Sequence, residues 1–545
     1  MDGRMEIKVN DLWEFKLVRE GEEYSDDGFI WVDLPHDWLI YDCDNLYANG
    51  TGYYRKQFGV EKKPGKRYLI NFDGVYMNSV IFVNGKEVGS NRYGYSSFEI
   101  DITDELKDLN TNKGLEGINE IMVVIHHESP NSRWYSGAGI YRDVTFKEVD
   151  ETHISTDGVY VYTEHIDDGS RGKWKVTADI EMEGPACDDL EFTFDIIHKP
   201  VSKNAGECIC RGVSFDDIPK SLYADDLNEV HGDSSNTGRE CEKAVYTQGE
   251  TIPVQLTSKD DASGTSTGSR IYRTEFIIEN GRVWDITSPE NYELLITVKH
   301  HGEITDTYKT GFGLKTIEYT CDNGFFLNGR HIKINGACEH HDLGLFGAAF
   351  NKDAARRKLV TLKKMGVNAV RTSHNMPAKI FMELADEMGI MIDSEGFDMW
   401  RRPKTEYDYA RFFEDNYKKD IRSWIRRDRN HPSVIMWSIG NEIYDCHADE
   451  TAPSLTLDMK KTVEAYDYAG NAPVTHASNF MAWEGARNCT DVLKMAGYNY
   501  GERLYDEQHK EHPDWKIYGS ETCSTVQSRG IYHFPLSASV MADDD

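Results

Sequence analysis

Ser433-Val434-Ile435-Met436-Trp437-Ser438-Ile439-Gly440-Asn441-Glu442 is an apolar, β-branched run of strand length that stops at Gly-Asn-Glu. A second run, Trp515-Lys516-Ile517-Tyr518-Gly519-Ser520-Glu521, has the same design. Strands buried on both faces read as continuous apolar segments of this kind, and they belong to parallel sheets. In a parallel barrel the residues just past the strand C-termini face the active site. Each run therefore carries a glutamate to the place where such a barrel keeps its chemistry. Two carboxylates facing one cavity are what glycoside hydrolysis requires, one as acid/base and one as nucleophile.

Outward from these runs, the C-terminal half alternates strand with helix. His331–Gly336, Val367–Arg371 and Ile390–Asp393 are expected as the first three strands. Helical patterns follow at 353–365, 378–388 and 412–426. The two glutamate-bearing strands come fourth and seventh, with Pro473–Ala477 and Met495–Tyr500 between them. This is a (β/α)8 TIM-barrel pattern from about 315 onward, read without an eighth strand before Asp545. An open barrel of this kind is expected to be poorly soluble or weakly active by itself.

The N-terminal half is all β. Residues 1–150 hold short strands with turn punctuation, among them Ser79–Val83 followed by the hairpin signal Asn84-Gly85, and predict a β jelly-roll. Residues 151–314 predict a second β-sandwich, with strands such as Lys173–Ala178 and Leu190–Ile197. A polar insertion at about 200–270, rich in Asp, Ser, Gly and Thr, cannot bury much apolar surface.

Composition narrows the function. The chain has 545 residues, 39% hydrophobic and 12% aromatic, enough for about three packed domains. A net charge of −32 argues against nucleic acid or an anionic membrane as partner. No apolar run approaches the ~20 residues of a membrane span. The ten cysteines are scattered, and Cys208-Ile209-Cys210 lacks zinc spacing, so free thiols in a reducing compartment are expected. With no apolar signal segment near Met1, the expected location is cytoplasmic.

Three motifs add to the two glutamate runs: Ser132-Arg133-Trp134-Tyr135-Ser136-Gly137-Ala138-Gly139-Ile140-Tyr141-Arg142-Asp143-Val144, Arg371-Thr372-Ser373-His374-Asn375, and Gly440-Asn441-Glu442. With these motifs in this order, the chain resembles glycoside hydrolase family two, the β-galactosidase and β-glucuronidase family. The resemblance implies a jelly-roll sugar-binding domain, an immunoglobulin-like β-sandwich and a catalytic barrel. It also implies retaining exo-hydrolysis of terminal β-linked sugars, with Glu442 as acid/base and Glu521 as nucleophile. Asn441 is then expected to donate to the sugar's second hydroxyl, and Tyr500 to hydrogen-bond Glu521 and hold it ionised.

Substrate contacts are further expected from His340 and His374, past strands one and two; His341 is the alternative match to His340. Asn131 aligns with a position that reaches the sugar from the first domain. Arg371 either orients the glutamates or forms a structural barrel salt bridge. Asp398 and Trp400 follow strand three, where magnesium-dependent relatives carry a Glu and a His. An indole cannot ligate magnesium, so no metal or other cofactor is expected, and Trp400 is read as a stacking wall for the sugar. Trp483 and Tyr532 are further candidates for aromatic walls. The run from Gly519 to Pro535 resembles β-galactosidases. The Asn-x-Lys motif by which glucuronidases read a carboxylate would fall beyond Asp545, which leaves β-glucuronidase as the alternative sugar specificity. A catalytically inactive carbohydrate-binding relative is the other alternative. A homo-oligomer is compatible with the family.

Overall fold

The computed structural model describes residues 3–112, 114–166, 172–187, 189–200, 242–243, 246–248, 251–254 and 270–522. Cys208, Cys210, most of the 200–270 insertion and Tyr532 lie outside them.

The N-terminal unit packs a six-stranded antiparallel sheet on a four-stranded one. Ile118–His127 shows why the sequence chooses this: every second residue, Asn119 through His127, is buried. Ser79–Val83 and Lys86–Asn91 pair across Asn84 (φ 51°) and Gly85 (φ 81°), the left-handed pair that a two-residue hairpin needs. Trp13, Tyr54, Tyr68 and Phe72 fill the space between the sheets. The second unit is a sandwich in which Trp174–Glu183 and Asn291–His300 are central strands of facing sheets, closed over Trp174, Ile180, Leu294 and Ile296.

The barrel sheet has seven parallel strands in sequence order: Gly336–Glu339, Ala369–Thr372, Met391–Glu395, Val434–Asn441, Val474–Ser478, Met495–Asn499 and Lys516–Glu521. All residues of the five inner strands are buried, while the first and seventh are partly exposed. Those two strands share no ladder, although the Cys338 thiol reaches the Ser520 carbonyl at 3.4 Å. The helix Ala410–Asp428 lays Phe413, Tyr417, Ile421, Trp424 and Ile425 against the sheet, at the three- and four-residue spacing of one helical face.

One strand is displaced from its expected position. The first barrel strand is Gly336–Glu339, and His331–Gly336 is not it. Asn328 (φ 52°) and Gly329 (φ 72°) make a tight turn that folds Arg330–His331 back onto Gly324–Leu327. With Ile317–Thr320 they form a three-stranded antiparallel sheet, whose Phe325 and Leu327 pack with Met391, Ile435 and Met495 at the strands' N-terminal ends. This plugs the bottom of the barrel and leaves the C-terminal rim for the site.

The jelly-roll is locked onto that rim. Arg142 donates to the carbonyls of Met376 (2.8 Å) and Pro377 (3.3 Å), and Tyr93 donates to the Gly396 carbonyl. These barrel segments follow the second and third strands, so residues 131–134 of the first domain are carried over the site.

Candidate active site

Glu442 stands one residue past the fourth strand and Glu521 ends the seventh. Two non-glycine residues here have left-handed backbones, Glu442 (φ 47°) and Tyr500 (φ 56°). Such conformations are disfavoured for residues with a Cβ and concentrate at functional sites. The neighbouring strands hold both: the Glu442 N–H donates to the Ala477 carbonyl at 2.8 Å and the Tyr500 N–H to the Glu521 carbonyl at 2.7 Å.

Arg371, fully enclosed on the second strand, organises the floor. Its guanidinium donates to Glu521 Oε1 (2.8 Å), Asn441 Oδ1 (2.9 Å) and Glu395 Oε2 (2.7 Å). Ser438 Oγ also donates to Glu395 Oε2 at 2.6 Å. Asn499 Nδ2 then bridges Asn441 Oδ1 (3.0 Å) and Glu442 Oε1 (3.1 Å). One continuous polar network therefore joins the two candidate glutamates.

Charge differs across this network. Burial pulls the Glu521 carboxyl upward, but the Arg371 guanidinium and the Tyr500 hydroxyl on Oε2 outweigh it and hold the group below the ordinary carboxylate range. Burial pushes Glu395 up to about 7, against Arg371 and Ser438. His374 is driven well below its ordinary value, by burial first and by Arg371 next, so its ring is neutral. Its Nδ1 lies 2.6 Å from Glu395 Oε1 and its Nε2 3.7 Å from Glu521.

His340 faces the same place. Its ring lies 4.9 Å from that of Trp134 and 5.6 Å from that of His374. His341 turns instead toward Tyr95 and Tyr141, with Nε2 3.1 Å from the Ser136 carbonyl. His340 Nδ1 is buried without a protein partner. Asp398 lies beside it. Its burial is more than offset by Lys404 (2.9 Å) and Arg133 (2.7 Å), which keep it below the ordinary range. A cavity lined by Asn131, Trp134, His374 and Asp398 straddles jelly-roll and barrel.

Two expectations are corrected. Trp400 is 0% exposed, sits in the barrel core and donates its indole N–H to the Ile439 carbonyl at 2.8 Å, so it is not a wall for the sugar. The same geometry does not fit a magnesium site there, since the indole offers no lone pair and its N–H is already bonded. Asn131 lines the cavity but is occupied by its own domain: its Oδ1 accepts from Tyr76 (3.0 Å) and Ser136 (3.1 Å), and its Nδ2 donates to the Glu128 carbonyl (2.6 Å).

The residue that crosses from the jelly-roll is Arg133, which donates to Asp398 and, at 3.2 Å, to Glu442 Oε2. Arg133, Glu395, Lys404 and Asn499 are site residues that sequence reasoning missed. Glu395 and Asn499 end the third and sixth strands, the same signal that exposed Glu442. Trp483 is 55% exposed and forms a ring cluster with His447 and Phe480 in the loops after strands four and five.

Comparison with known proteins agrees with this layout. Family models described as glycosyl hydrolases family 2 match in order: the sugar-binding domain over 7–150, the middle region over 228–315 and the TIM barrel domain over 320–516. A β-galactosidase of Bacteroides ovatus is 33% identical over 96% of this chain and 60% of its own length. A β-glucuronidase of Bacteroides fragilis is 27% identical over 97% of this chain and 69% of its own. The crystal structure of a family 2 member from Bacteroides cellulosilyticus superposes with a TM-score of 0.73 at 30% identity, covering 95% of this chain and 63% of that one. The chain thus spans about three fifths of the length of the first of these relatives. Three models of one family, matched in order around a rim that carries both glutamates, place this chain in glycoside hydrolase family 2.

Proposed function

We propose that the chain is a retaining exo-β-glycosidase acting on β-galactosides, with Glu521 as nucleophile and Glu442 as acid/base. The observation that carries this reading is the asymmetry of the two glutamates. Arg371 and Tyr500 converge on Glu521 and keep it ionised, as an attacking carboxylate must be. Glu442 stands across Asn441 and Asn499, next to the jelly-roll. In the first step Glu521 attacks the anomeric carbon while Glu442 protonates the leaving oxygen. In the second, Glu442 takes a proton from water, which displaces Glu521.

His340, His374, Asn441 and Asp398 bind sugar hydroxyls in this reading. Neutral imidazoles suit that task, offering one donor and one acceptor. The unpartnered His340 Nδ1 supports it, because a buried polar atom calls for a partner and a hydroxylated ligand supplies one. The Bacteroides ovatus relative supports galactose as the sugar. A β-glucuronide is the second reading, favoured by the relative of Bacteroides fragilis. The described cysteines are free thiols, which supports a reducing, cytoplasmic setting.

A panel of aryl β-galactosides, β-glucuronides and β-glucosides tests this reading. Hydrolysis of the galactoside with retention of configuration is expected. Inversion, or no hydrolysis of any member, would refute it.

A further inference from the structure

The Arg133 guanidinium is the single cation of the jelly-roll that touches a candidate catalytic group among the described residues. It is gripped by Asp398 through Nε (3.2 Å) and Nη2 (2.7 Å), which leaves Nη1 to reach Glu442 Oε2 at 3.2 Å. Asn499 Nδ2 donates to the other oxygen, Oε1. Both carboxyl oxygens of Glu442 therefore accept from fixed donors, one on each domain, which sets the plane of the group. The cations that act on Glu442 are Arg133 from the jelly-roll and Lys404 after the third strand, and both are shared with Asp398.

This arrangement suits one half of the reaction and opposes the other. To protonate a leaving group, Glu442 must carry a proton where Nη1 now sits. To activate water it must be ionised and aimed. Arg133 is 37% exposed in its side chain, and its hold on Asp398 does not involve Nη1. Because the guanidinium is a rigid plane held on Asp398, Nη1 and Glu442 part when the Glu442 carboxyl turns away, and the Asp398 pair stays in place.

We propose that Arg133 is a positioning residue for the second step: it holds Glu442 as an oriented carboxylate whenever no aglycone occupies the space beside it, and the leaving oxygen of an entering aglycone draws the Glu442 carboxyl away from it. The proposal rests on the glycosidase reading above. In the step it serves, a water oxygen bonds to the anomeric carbon and the water's proton passes to Glu442. The ester bond to Glu521 breaks, with its electron pair returning to the Glu521 carboxylate. The first domain thereby takes part in turnover as well as in binding.

The test compares wild type, R133M, R133K and E442Q on an aryl β-galactoside with a good leaving group, by steady-state kinetics, rapid-quench burst and intact mass. R133M is expected to lose at least about tenfold in kcat, the scale on which acid/base contributions operate, with kcat/KM nearly unchanged. Glycosyl-enzyme should accumulate, and azide, which needs no general base, should restore turnover. R133K, which keeps a cation, should recover part of kcat and show less accumulation.

Parallel loss of kcat and kcat/KM in both variants, with no accumulation and no azide rescue, would overturn the proposal. If that happened while E442Q was still rescued by azide, the acid/base assignment would stand and the Arg133 role alone would fall. A wild-type chain that hydrolyses none of the panel would remove the glycosidase reading and this proposal with it.

Discussion

Replacing Tyr500 with Phe removes one hydroxyl from the site. That hydroxyl donates to Glu521 Oε2, while Arg371 Nη1 holds Oε1 at 2.8 Å. A hydrogen bond to a charged group contributes about 1.5–3 kcal/mol. Tyr500 is 42% exposed, so solvent screens the contact and the lower end applies, about 1.5 kcal/mol. That figure corresponds to about a tenfold loss of rate, or about one pH unit in the titration of the nucleophile. The direction follows from the environment. Burial raises Glu521, and Arg371 and Tyr500 together lower it beyond that. Taking away one of the lowering groups moves its titration upward, toward the ordinary carboxylate value. Because the nucleophile acts ionised, the acidic limb of kcat/KM must shift to higher pH. The assay is a pH profile of kcat/KM for wild type and Y500F, with thermal melting as a control for folding, which an exposed hydroxyl should leave unchanged. An unmoved acidic limb with kcat/KM within about twofold of wild type would show that the hydroxyl does not share the nucleophile's charge.

Other perturbations separate the remaining roles. E442Q should spare the first step for substrates with good leaving groups and be partly rescued by azide, measured as the appearance of a glycosyl azide; equal loss on all leaving groups would remove the acid/base role. R371M leaves Glu395 and Glu521 without their shared cation, and breaking such a buried pair should cost about 3–5 kcal/mol, read from denaturant unfolding together with a rise of the acidic limb. W400F strands the Ile439 carbonyl and should destabilise by about 1–3 kcal/mol while leaving KM within twofold. A large rise in KM without destabilisation would return Trp400 to the sugar.

The legible part of this protein was what local pattern controls. The apolar runs ending at Glu442 and Glu521 announced both a barrel strand and the place of its last residue, because a strand covered on both faces has nowhere to put a polar side chain until it ends. Asn84-Gly85 announced its hairpin by conformational preference alone. The first barrel strand was missed for a related reason. Ile332 and Ile334 alternate as a strand should, yet the Asn328-Gly329 turn commits the preceding residues to a hairpin, and the actual strand, Gly-Ala-Cys-Glu, has little intrinsic β character and is selected by its parallel neighbour. Trp400 was placed correctly past strand three, but spacing along the chain cannot say whether an indole faces substrate or core. Arg133 stands in the Ser132–Val144 motif with no role legible from its neighbours, since its partners lie 265 and 309 residues away and are brought to it only by the docking of the jelly-roll on the rim.

The central claim is that Glu521 attacks the anomeric carbon. A mechanism-based fluorosugar inactivator of the galacto configuration, in which the first step proceeds and the second nearly stops, tests it directly. After proteolysis and mass spectrometry the account predicts one sugar per chain, esterified to Glu521, and no labelling of E521Q. A label on Glu442, on Glu395 or on any other residue would contradict it.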